Sequence, residues 1–70
     1  MTGEITAKLV EIIQTCAKNN IKTVFTQDGD KDNSINETIE EDERVVQIQI
    51  GDPNSDELLE LLSNFLQNSF

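Results

Sequence analysis

Half of the residues between Asp28 and Glu43 are acidic. The stretch DGDKDNSINETIEEDE holds eight carboxylates and one base, Lys31. Carboxylates at this density suit three kinds of chemistry: acid–base catalysis by a pair, ligation of a hard cation, and attraction of a basic partner. Paired catalysis needs a cleft that shifts one pKa away from the other, and a chain of 70 residues has little room for one. The chain has no histidine, which removes the commonest general base and every Ser-His or Cys-His nucleophile pair. It has no CxxC and no glycine-rich phosphate loop. The residues therefore predict a protein that is not an enzyme and carries no cofactor.

The first half of the stretch, Asp28-x-Asp30-x-Asp32-Asn33-Ser34-Ile35, resembles the calcium loop of EF-hand proteins. That resemblance implies side-chain oxygens from Asp28, Asp30 and Asp32, a backbone carbonyl from Ser34, and Asn36 further on, with Ile35 as the apolar residue of the loop. The match is incomplete. Asn33 stands where the loop has glycine. Ile39 stands where a bidentate glutamate is required, and Glu40 comes one residue late. The flanks read as strands instead of helices. A weak calcium module built on Asp28, Asp30, Asp32, Ser34, Asn36 and Glu40 is thus the alternative reading. An ordinary turn rich in Asp, Asn and Gly is the plainer one.

The second half, Glu37, Glu40, Glu41, Asp42 and Glu43, forms a compact negative ridge if a hairpin projects it. A ridge of this kind suits a basic groove on another protein and steers it by long-range attraction. The whole chain agrees, with a net charge of −9 and a pI near 4.1. Nucleic-acid binding requires clustered Lys and Arg; here Lys8, Lys18, Lys22, Lys31 and Arg44 are scattered and outnumbered. Anionic membrane surfaces are disfavoured for the same reason. The expected function is that of a protein-binding regulator or inhibitor. In charge and size it is similar to small phage-encoded inhibitors that mimic DNA phosphates. A blander role, solubility and protection of strand edges, accounts for the same charges.

These residues need a frame. From Gly3 to Lys18, Ile5, Leu9, Ile12, Ile13 and Cys16 recur at helical spacing, with Thr2 as N-cap and Asn19-Asn20 as the stop. Ile21 to Gln27, IKTVFTQ, reads as a strand, as does Arg44 to Ile50, RVVQIQI. Sixteen structureless residues between them would be unusual in so small a domain. Ile35, Glu37 and Ile39 alternate with Asn36, Thr38 and Glu40, so a short third strand fits, turning at Glu41 to Glu43. A last helix runs from about Ser55 to Asn68, started either by an Asn54–Glu57 capping box or by Asp52 with Pro53 at the first helical position.

The expectation is one α+β domain over residues 1–70, ordered helix, strand, short strand, strand, helix. Its small antiparallel sheet would carry both helices on one face. Such a sheet has exposed edges, and both helices have broad apolar arcs, so a homodimer is expected, through edge strands or through Leu59, Leu62, Phe65, Leu66 and Phe70. Cys16 reads as a small core residue. No apolar run spans a bilayer and nothing resembles a signal peptide, which points to the cytoplasm.

Overall fold

A computed structural model describes residues 2–70. Helix α1 spans Gly3–Lys18, strand β1 Ile21–Gln27, β2 Ser34–Glu40, β3 Glu43–Ile50 and helix α2 Asp56–Ser69. The fold is α+β, with both helices packed on one face of a three-stranded sheet. Thr2 caps α1 by accepting the Ile5 N–H at 3.2 Å, and Asn20, with φ of 58°, turns the chain out of the helix. The third strand forms over seven residues.

The sheet differs from the expected antiparallel one. Its order is β1-β3-β2, and β1 runs parallel to β3, Ile21 opposite Arg44 through Gln27 opposite Ile50. Only β2 and β3 form the antiparallel hairpin. Burial explains the order. Strand β3 carries Val45, Val46, Ile48 and Ile50, each no more than 5% exposed, so it belongs at the centre, where both neighbours cover it. The acid-rich β2 belongs at an edge, where its charges reach water.

Placing β3 between its sequence predecessors forces Asp28–Asn33 to cross over the end of β3. The crossing is tight. A Cβ on Gly51 would fall on the carbonyl oxygen of Lys31 and within 2.8 Å of its carbonyl carbon. Side chains and backbone then tie the crossing down. Asn33 Oδ1 accepts the N–H of Gly51 (2.7 Å) and of Asp52 (2.9 Å), while its Nδ2 donates to the Asp52 carbonyl at 3.2 Å. Gln49 Nε2 donates to the Asp32 carbonyl at 2.6 Å, and the Asp28 N–H to the Ile50 carbonyl at 3.0 Å.

The same clamp sets the start of α2. With its N–H and carbonyl held by Asn33, Asp52 belongs to the crossing and does not cap the helix. Its side chain instead accepts the Asn54 N–H at 3.0 Å, and Ser55 becomes the N-cap, accepting the Glu57 N–H at 3.1 Å. Both expected registers, Asn54–Glu57 and Asp52-Pro53, are therefore replaced by a cap at Ser55.

The core lies between sheet and helices. Ile5, Leu9, Ile12 and Cys16 of α1 and Leu58 and Leu62 of α2 pack with Ile21, Val46, Ile48 and Ile50. Ile35, Leu59, Phe65 and Leu66 pack around them. Gly51→Ala should lower the unfolding free energy by roughly 2–3 kcal/mol, because the atoms it meets are backbone and cannot rotate away. Urea denaturation measures this, and an unchanged midpoint would mean that the crossing slides to admit a methyl group.

Candidate functional site

The β2–β3 hairpin turns on two residues, Glu41 and Asp42, both with positive φ (50° and 66°). This is the mirror-image turn that matches strand twist, and it normally takes Asn-Gly because residues with a Cβ are strained there. Here both positions are acidic. The pair closing the turn is Glu40 opposite Glu43, like charges facing each other across the ladder. Among the described residues none of these four carboxylates makes an ion pair. Glu40 and Glu43 share the sheet face away from the helices with Thr38 and Val45, because Ile39 and Arg44 alternate with them on the helix side.

Glu37 stands apart from them. It projects from the helix-side face and is held by Arg44, whose Nε donates to Glu37 Oε1 at 2.7 Å and whose terminal nitrogen lies 2.6 Å from the same oxygen. Of the five acidic residues singled out in the sequence, the structure gathers Glu40, Glu41, Asp42 and Glu43 at one tip. It engages Glu37 in a cross-strand ion pair lower down.

The residues of the calcium-like stretch are dispersed. Asp28 Oδ1 accepts the Asp30 N–H at 3.0 Å, a local turn, and the Asp28 carbonyl accepts the Lys31 N–H at 3.1 Å. Ser34, Asn36 and Glu40 lie along β2, which carries Glu40 about 20 Å from Ser34. Among the described residues no three acidic or cysteine side chains converge as a cation site would require. A shallow hollow of about 190 Å³ lies between the crossing and the start of α2, beside Lys31, Asn33, Asp52 and Glu57. Its acids flank the helix N-terminus, and the Asn33 amide and the Asp52 backbone within it are occupied by the clamp.

The dimer candidates on α2 are largely engaged within the chain. Leu62 is fully buried, Leu59, Phe65 and Leu66 pack against the core, and Phe70, about half exposed, meets Phe65 edge-on at 5.5 Å. Exposed apolar side chains occur instead at Val10, Ile13, Val24, Phe25 and Ile39. Ile13, Phe25 and Ile39 share the helical or alternating positions of core residues, so sequence patterning cannot single them out. Asn33 was equally hidden, since its partners lie eighteen and nineteen residues away.

Cys16 is fully buried and free. Burial pushes its thiol pKa above the ordinary 9.0, with Glu37 adding to the rise and Arg44 opposing it. No described helix is long and apolar enough to cross a membrane. Compared with protein-family models, curated proteins and solved structures, the chain matches none.

Three outcomes follow for solution work. Calcium should leave the thermal midpoint unchanged, and a rise reversed by chelator would restore the cation reading. The buried thiol should resist a thiol-reactive disulfide reagent until the protein unfolds. Because its pKa is raised in the folded state, its contribution to stability is complete below pH 9 and lost as pH rises through the folded value. A pH series of denaturation midpoints checks the sign.

Proposed function

We propose that this chain is a non-enzymatic protein-binding module that acts in the cytoplasm as a homodimer and regulates or inhibits a partner with a basic surface. The acidic tip Glu40-Glu41-Asp42-Glu43 is the contact, and the sheet and helices are its scaffold. One observation carries the reading. The tip breaks two local rules at once, by opposing Glu40 to Glu43 and by placing Glu41 and Asp42 in left-handed backbone conformations. Each departure costs stability, and no compensating contact among the described residues offsets it. Solubility alone does not require this arrangement, since acids on ordinary strand or helix positions serve it without strain. Four carboxylates on a narrow turn do suit a concave basic site, where desolvation strengthens each contact.

The reading predicts a trade between stability and binding. Replacing Glu41 by Asn and Asp42 by Gly should raise stability by about 1 kcal/mol and weaken binding to a Lys/Arg-rich peptide, followed by fluorescence anisotropy. Changing Glu40, Glu41 and Glu43 to Gln should weaken that binding about tenfold and flatten its salt dependence. Changing Asp56, Glu57 and Glu60 on α2 to Asn, Gln and Gln removes the same charge elsewhere. If that variant loses as much affinity as the tip variant, net charge is the cause and the tip reading fails.

A further inference from the structure

We propose that a second copy of this chain docks along the β1 edge, pairing β1 antiparallel with its own counterpart and packing α1 beside α1. The proposal rests on the homodimer reading above and names the surface that makes the dimer.

The β1 edge has unpaired backbone. Because the Asp28 N–H is directed at Ile50 of β3, alternation directs Lys22, Val24 and Thr26 toward β3 as well. The N–H and C=O groups of Thr23 and Phe25 therefore point away from the sheet. A two-fold axis at Val24 would set Thr23 opposite Phe25 of the second copy, with both pairs of groups satisfied.

The apolar side chains agree with this edge. Helix α1 lies over β1. Its flank bearing Lys8 and Thr15 is partly covered, on the side where α2 packs. The opposite flank, with Val10 (46% exposed), Ile13 (39%) and Ala17, faces outward above the β1 edge. Phe25, on the helix-side face of β1, is 44% exposed beneath it. Two-fold pairing would bring the Val10–Ile13 flanks of two helices together and cover both phenylalanines.

Charge selects the occupant. Residues 1–27 hold three lysines and two glutamates, net +1, whereas residues 28–70 hold twelve acids against Lys31 and Arg44, net −10. A second copy of the same acidic chain can approach the β1–α1 side without strong repulsion. The β2 edge would set Glu37, Glu40 and the acidic turn against their own counterparts. The two-fold also reverses α1, so the Lys18–Lys22 end of each copy lies alongside the Glu4 end of the other. Both acidic tips are left at the outer ends of a continuous six-stranded sheet.

Sedimentation equilibrium on the full chain tests this. The intact protein should give twice the 7.9 kDa chain mass. Ile13→Lys should raise the dissociation constant about tenfold or more with an unchanged far-ultraviolet spectrum, because Ile13 is exposed in the single copy. Ile39→Glu, at a position still more exposed (75%) but on the β2 edge, should leave the dimer intact. Val24→Cys should give a disulfide-linked dimer on oxidation, Cys16 being buried. A monomer mass at every concentration overturns both this interface and the homodimer reading. A dimer indifferent to Ile13→Lys overturns this interface alone, as does a mass that grows past two copies through β1-to-β2 stacking.

Discussion

Everything in this small fold depends on six residues passing over the end of one strand. Parallel pairing of β1 with β3 requires the chain to leave β1, skip a strand position and return down β2. That skip is about 10 Å across the sheet, and Asp28–Asn33 cover it by lying directly on Gly51. The approach is so close that only a residue without a side chain fits beneath it. Asn33 then behaves as a piece of backbone, since its amide supplies an acceptor for two N–H groups and a donor for one carbonyl. The peptide groups at the end of β3 would otherwise lack partners just where the chain turns toward α2. One side chain thereby holds the crossing in place and sets the entry into the last helix.

The strand order in turn decides where charge can go. A central β3 collects the apolar residues, so both edges are free for other uses. They are used differently. The β2 side, with its turn and α2, carries nearly all the net negative charge, whereas the β1–α1 side is close to neutral and leaves Val10, Ile13 and Phe25 exposed. The molecule is thus polarised across its sheet. A uniformly acidic protein of this size would resist every like neighbour equally; this one resists them on one side only.

The helices and all three strands were legible in the residues, because helical spacing in GEITAKLVEIIQTCAK and alternation in SINETIE and ERVVQIQI are local signals. The parallel pairing was not. Hairpin logic favours neighbours in sequence, and what overrode it was burial, a property of the sheet as a whole. The cap at Ser55 was missed for a related reason. Asp52 satisfies every local criterion for a cap, but its backbone is already claimed by Asn33 from across the fold. The acidic tip was legible in composition but not in cost. Nothing in EEDE announces that its two central residues take left-handed conformations until the hairpin length is known.

The acidic stretch therefore separates by the kind of constraint each part obeys. At the crossing, Asp28, Asn33 and their neighbours follow local chemistry closely. An Asx turn, an amide clamp and a close glycine contact all favour the observed path, and the composition that resembles a cation loop is explained by turning the chain. At the hairpin turn the residues oppose the path, since Glu40, Glu41, Asp42 and Glu43 make the β2–β3 connection harder to form than Asn-Gly would. Where sequence and backbone agree, stability suffices as the reason for the residues. Where they disagree and no contact among the described residues repays the strain, stability of the single chain does not account for the residues, and the proposal of a basic partner rests on that disagreement.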